Sequence, residues 1–293
     1  MPRHPAVAPV LALTFNAFVW GVSWWPLRRL EGVGLHPLAA TALIYLLASL
    51  AILAARPGAL RELFATPALW VLVAASGTTN AAFNWAVTIG DVVRVVLLFY
   101  LMPLWAVLLA RLLLGERLTR AALARVALAL GGALVILWPA DGHGGPWPRT
   151  LAEALGVIGG FSFALNNVML KREAARSDGA RALAMFVGGA LVAGALATAL
   201  AAQGAAVGLP APGAAWIAGV LALGAVFLAS NLALQFGAAR LAANVTAVVM
   251  LTEVLFASVS ALALGAGTLD ARLAVGGAAI VAAAVLAALE GRD

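Results

Sequence analysis

Ten apolar stretches of about 20 residues, separated by short polar connections, dominate this chain. In hydrocarbon a backbone must pair all its N–H and C=O groups internally, so uninterrupted runs of this length are expected to be membrane-spanning α-helices rather than barrel strands. They fall at residues 7–27, 37–55, 67–89, 92–114, 119–138, 151–170, 181–201, 214–236, 241–264 and 270–289. Thr119 and Asp270 are placed as N-caps, and Thr150 with Glu153 reads as a capping box opening the sixth span. Only 10% of the residues are charged, against roughly 25% in a soluble domain. The expected fold class is therefore an all-α integral membrane protein.

The net charge of +6 is not a nucleic-acid signature, because most of the basic residues lie in the connections, where they set orientation. With a cytoplasmic N-terminus, 13 of the 18 basic residues are cytoplasmic, and Arg28, Arg29, Arg94, Arg149 and Arg272 are outside. The expected location is a bacterial-type inner (plasma) membrane with both termini cytoplasmic. The apolar run after Arg3 has no small-x-small cleavage site and reads as a retained span. Cys is absent, which removes disulfides and thiolate metal sites, and no cofactor is expected.

A Pro/Gly-rich linker at residues 139–149 divides the chain into residues 1–138 and 150–293, each with five expected spans. Laid over each other at an offset of 151, the halves place Asn80 on Asn231, Asn84 on Gln235, Trp85 on Phe236 and Thr119 on Asp270. Near the start of each half the offset is 143, which places Trp20 on Phe163, Trp24 on Asn167 and Arg28 on Lys171. Five is an odd number, so the second half enters the membrane inverted. Two inverted five-helix repeats are expected to enclose a central cavity near the midplane.

Polar groups inside spans are costly and mark where a cavity would lie. Asn80 and Asn84 share one helix face, as do Asn231 and Gln235, each pair at i,i+4. They are expected to form two half-sites, with Asn166 and Asn167 as a further cluster opposite Ser23. The competing reading of such carboxamides is interhelical hydrogen bonding, about 0.6 kcal/mol each. Glu253 is the one acid well inside a span. It suits a substrate ammonium or a proton, and proton coupling through it is open. Trp20, Tyr100, Met102 and Phe163 complete the candidate pocket, and Pro103 is expected to kink the fourth span as a hinge.

Trp20-Gly21-Val22-Ser23-Trp24, residues 103–118 with Gly115-Glu116-Arg117-Leu118 at their end, and Leu251-Thr252-Glu253-Val254-Leu255-Phe256-Ala257 resemble the drug/metabolite transporter (DMT) superfamily, EamA type. The resemblance spans essentially the whole chain and is greatest to the YddG aromatic amino acid exporters. It implies ten helices around a central cavity and efflux of aromatic and other neutral amino acids. Val254 stands where the family often has Pro, and Gly267 where the second half often repeats the acid seen at Glu116. Those departures leave the symmetry of gating open.

The expected function is a secondary membrane transporter exporting small amphipathic metabolites by alternating access. Its expected partners are a small-molecule substrate and the lipid bilayer. Export of hydrophobic cations or drugs is the near alternative, and a non-transporting sensor the remoter one. An enzyme is disfavoured: His4, His36 and His143 lie outside the spans, and neither His-Glu-x-x-His nor Gly-x-Ser-x-Gly occurs.

Overall fold

The computed structural model describes residues 7–115, 119–138, 147–238, 240, 249–250 and 252–290. Glu116, the second-half segment 241–248, most of the linker and the side chains of Pro103 and Gln235 lie outside the described residues. Thirteen helices are described: α1 Val7–Val22, α2 Trp24–Gly32, α3 Pro37–Ala55, α4 Gly58–Ala65, α5 Pro67–Ile89, α6 Val92–Phe99, α7 Met102–Leu114, α8 Arg120–Leu137, α9 Leu151–Arg172, α10 Asp178–Ala202, α11 Ala214–Ala238, α12 Thr252–Ala263 and α13 Ala271–Glu290. No strand occurs among the described residues.

Local chemistry fixes the helix starts. Pro37 occupies the first turn of α3, and His36 Nδ1 accepts from Leu38 N–H at 3.2 Å. Burial lowers the His36 pKa, which keeps Nδ1 free to accept at neutral pH. Thr150 Oγ1 accepts from Glu153 N–H at 3.2 Å, while the Glu153 carboxylate accepts from Arg149 N–H at 2.7 Å, one residue before the usual capping-box partner. Asp270 Oδ1 caps α13 through Leu273 N–H at 2.7 Å. Gly115, at φ +71°, ends α7 in the left-handed conformation that glycine tolerates.

Among the described residues, six helical stretches are long and apolar enough to cross a membrane, counting α1 with α2 and α6 with α7 as one each, or seven if the bent pair α4–α5 counts as one span. The shorter apolar helices Leu123–Leu137, Thr252–Ala263 and Ala271–Ala283 stand where the remaining expected spans were placed. In full, α8 has 18 residues and α13 has 20, about 27 and 30 Å at 1.5 Å per residue against a hydrocarbon core of roughly 30 Å. Two features go beyond the expected spans. The fourth span, expected to kink at Pro103, is broken between Phe99 and Met102, and α4 forms a separate helix bent 102° from α5.

Helix packing runs α5 against α9 and α10, α10 against α3, α1 against α11 and α12, α11 against α3, α6 and α7 against α9, and α8 against α13. Small residues set the closest of these approaches. A Cβ at Gly188 would lie 2.1 Å from Val73 O, and one at Gly77 2.3 Å from Gly188 O, so α5 and α10 meet backbone to backbone. Gly132 and Gly276 do the same for α8 and α13, where a Cβ on either would fall 2.5–2.6 Å from the other's carbonyl oxygen.

Polar contacts gather at two ends. At one, Arg28 donates to the carbonyls of Val87 and Gly90, and Asp91 Oδ2 accepts from Thr268 N–H at 2.7 Å. Also there, Arg94 pairs with Glu153 at 2.6 Å, and Arg272 Nη1 donates to Trp138 O at 2.9 Å. At the other, the Ser177 N–H and hydroxyl donate to Glu62, holding its carboxyl below the usual range and tying α4 to the start of α10.

Gly131 and Gly132 provide a local test. A Cβ at Gly131 meets nothing within 4 Å, whereas one at Gly132 collides with α13. Gly132→Ala is expected to destabilise the protein by about 1–3 kcal/mol. Gly131→Ala is expected to be neutral or to stabilise by about 0.5–1 kcal/mol. Thermal melts of the two variants in detergent check this; equal melting temperatures would contradict the α8–α13 contact.

Candidate functional site

The cavity lies where α1, α3, α5, α6, α9, α10, α11 and α12 converge. It has a volume of about 90 Å³ and is lined by Asn16, Trp20, Tyr45, Ser76, Thr79, Asn80, Phe83, Phe99, Phe163, Asn166, Met185, Phe186, Phe227, Asn231, Leu234, Met250 and Glu253. Glycine contacts bring the walls together. A Cβ at Gly21 would lie 2.9 Å from Glu253 O, and one at Gly160 2.4 Å from Phe99 O. These close approaches set Trp20 beside α12 and Phe163 beside α6.

The aromatic wall is continuous. Trp20 stacks on Phe227 with ring centroids 4.9 Å apart and meets Phe83 edge-on at 6.3 Å. Phe83 meets Phe99 at 4.9 Å, and Phe99 meets Phe163 at 5.4 Å. Tyr45 lies between Phe186 and Phe227.

The polar groups divide into satisfied and unsatisfied ones. Asn80 is saturated: its Oδ1 accepts from the Tyr45 hydroxyl, and its Nδ2 donates to Ser76 O at 2.8 Å. Asn16 Nδ2 donates to Ser230 O and Oγ at 2.9 and 2.6 Å, which leaves Asn16 Oδ1 buried without a partner. Asn166 Nδ2 donates to Asn167 Oδ1 at 3.4 Å, and Asn166 Oδ1 is likewise unpartnered. A buried acceptor left unpaired costs about 1–3 kcal/mol. Glu253 is 8% exposed, and its Oε2 accepts from the Tyr100 hydroxyl at 3.1 Å.

Of the residues singled out in the sequence, Trp20, Asn80, Phe163, Asn166, Asn231 and Glu253 line the cavity. Tyr100 reaches it only through Glu253, and sits at the break between α6 and α7. That break immediately precedes Pro103, which occupies the first turn of α7. Ser23, Asn84, Met102 and Asn167 do not line the cavity. Ser23 Oγ donates back to Trp20 O at 2.9 Å, Met102 is half-buried at the start of α7, and Asn167 is exposed on α9.

Asn84 is fully buried, and its Nδ2 donates to Thr41 Oγ1 of α3 at 3.1 Å. Four residues advance a helix by about 40° beyond a full turn, which leaves Asn80, bonded to Tyr45 of α3, at the cavity and carries Asn84 past it to Thr41 of the same helix. The Asn80–Asn84 pair is therefore split between the cavity and a helix interface. The stripe that does face the cavity runs the other way: Ser76, Asn80 and Phe83 on α5, and Phe227, Asn231 and Leu234 on α11. Extending each stripe one turn towards its N-terminus would have found Ser76 and Phe227. The same step back from Trp20 reaches Asn16.

The sequence profile of the EamA-like transporter family matches residues 8–138. The match is a likeness to that family over a little under half of the chain. Together with the apolar helices, this likeness supports a multi-pass membrane protein with a transporter role. Among solved structures, 14 chains match. One crystal structure aligns over 99% of this chain and 98% of its own at a TM-score of 0.58 and 21% identity, a likeness of fold. No curated protein sequence matches.

The split of the asparagine pair gives a direct test in purified protein. Asn80→Ala is expected to weaken solute binding by tenfold or more, whereas Asn84→Ala is expected to leave binding within about twofold and to cost about 1 kcal/mol of stability. Binding isotherms paired with thermal melts separate the two. A binding defect in Asn84→Ala equal to that of Asn80→Ala would return both residues to one site.

Proposed function

We propose that the protein is a secondary carrier that exports small amphipathic metabolites by alternating access between two inverted five-helix halves. The observation that carries this reading is the pairing of positions around the cavity. Trp20 and Phe163 are related by the offset of 143. Ser76 and Phe227, Asn80 and Asn231, Phe83 and Leu234, and Phe99 and Met250 are related by 151, and all ten line the cavity. The helix packing supports the same symmetry: exchanging the halves turns α5–α9 into α11–α1, α5–α10 into α11–α3, and α7–α9 into the contact of α12 with α1, while α3–α10 and α8–α13 map onto themselves. A site built from equivalent positions of inverted repeats can open to either face with little change inside each half.

The end holding Arg28, Asp91, Arg94 and Thr268 is the one that the basic-residue pattern assigns to the outside. Contacts there join the two halves: Asp91 to Thr268, Arg94 to Glu153, and Val92 N–H to Ala266 O at 3.1 Å. Opening towards the outside requires these to part.

Two substrate classes fit the walls. Neutral amino acids with aromatic or bulky side chains suit the ring-lined surface and the carboxamides. Hydrophobic cations are favoured by Glu253, the one charged side chain among the described lining residues. In proteoliposomes, solute uptake is expected to fall at least tenfold in Trp20→Ala, which removes the ring bridging the two aromatic groups, and Glu253→Gln is expected to alter the pH dependence of transport. Wild-type-like uptake by Trp20→Ala would remove the cavity from the transport path. An unchanged pH profile in Glu253→Gln would remove Glu253 from coupling.

A further inference from the structure

The cavity is one-sided in its hydrogen-bonding chemistry. Asn16 and Asn166 each commit Nδ2 to a protein acceptor and keep a buried Oδ1 with no partner. Asn80 is satisfied at both ends of its amide. Glu253 adds a carboxylate, and no Lys, Arg or His lines the cavity among the described residues. Residues 241–248 and Leu251, outside the described residues, contain none in sequence. Among the described residues the walls therefore hold two unpartnered carbonyl oxygens and a carboxylate, and no cation.

We propose that this cavity is an ammonium site: it takes a primary amine attached to an apolar, ring-bearing body and rejects a carboxylate. The inference rests on the carrier reading above and narrows its substrate. A protonated primary amine carries three N–H donors, enough for Asn16 Oδ1, Asn166 Oδ1 and Glu253, and the rings of Trp20 and Phe99 attract the same charge. A substrate carboxylate would enter a low-dielectric space already holding Glu253, with no cation to meet it. A quaternary ammonium has the charge but no N–H, and would leave both carbonyl oxygens unpaired. Sites built to hydrogen-bond a substrate group discriminate strongly against analogues lacking it. The cavity is also small. About 150 Å³ seats a benzene ring, so at about 90 Å³ the ring of a substrate is admitted by movement of the aromatic side chains.

Three probes with one ring system test this: 2-phenylethylamine, L-phenylalanine, which adds a carboxylate, and phenethyltrimethylammonium, which removes the N–H groups. Uptake into proteoliposomes and thermal stabilisation of wild-type protein are expected to favour the primary amine over both others by at least about tenfold. Asn166→Leu is expected to reduce the preference for the primary amine over the trimethyl compound, because the acceptor that demands an N–H is gone. Equal or better handling of L-phenylalanine, or of the trimethyl compound, by wild-type protein would overturn the ammonium site while leaving the carrier reading intact. Absence of flux and of stabilisation for all three probes and for a panel of other amino acids would overturn both.

Discussion

Backbone-to-backbone contact through glycine is the constraint on which the rest of this structure depends. Inside a bilayer, helices gain nothing by hiding apolar surface from one another, since lipid is as apolar as leucine. Close packing and the few available hydrogen bonds must hold the bundle. Gly77 with Gly188, Gly132 with Gly276, Gly21 against α12 and Gly160 against Phe99 bring helix axes close enough for that. The same approaches shape the cavity. Where α5 and α10 touch at Gly77 and Gly188, Ser76 Oγ reaches Met185 O at 3.2 Å; both residues line the cavity.

Much of the helix framework was legible because it depends on local physics. Long apolar runs, Pro37 and Pro67 in first turns, and caps at Thr150 and Asp270 place α3, α5, α9 and α13 to within a few residues. The break between α6 and α7 was legible only in part: Pro103 announced a distortion, but the interruption falls at Tyr100–Leu101, where Tyr100 bonds to Glu253. The helix α4 was not expected, because eight residues containing Arg61 and Glu62 read as a loop. Its partner, Ser177, lies more than a hundred residues away.

The site was legible by residue type more than by face. Periodicity identifies residues that share a stripe, but it does not say which neighbouring helix the stripe meets. Asn80 and Asn84 share a stripe to within about 40°; both bond to α3, at Tyr45 and Thr41, and of the two Asn80 alone also lines the cavity. Asn16 and Tyr45 could not be ranked from sequence, since their importance comes from Ser230 and Asn80 on other helices. Asn167 shows the opposite error: a carboxamide in an apolar span that faces outward from α9 and serves its neighbour, Asn166.

In the carrier reading proposed above, near-symmetry of the walls and asymmetry of their chemistry would carry different parts of a transport cycle. Equivalent positions such as Asn80 and Asn231 would let the two halves exchange roles. Glu253 breaks that equivalence, because its mate by the repeat is Met102, half-buried and outside the cavity lining. In that reading, charge recognition would belong to one half alone. The carboxylate is joined by Tyr100 to the break in the fourth span of the other half, so a ligand that draws the hydrogen bond of Glu253 to itself acts on that break directly. A ligand changes a conformational equilibrium only by as much as it binds the two states differently. The Tyr100–Glu253 bond is a contact that an incoming donor can replace, and it crosses from one half to the other.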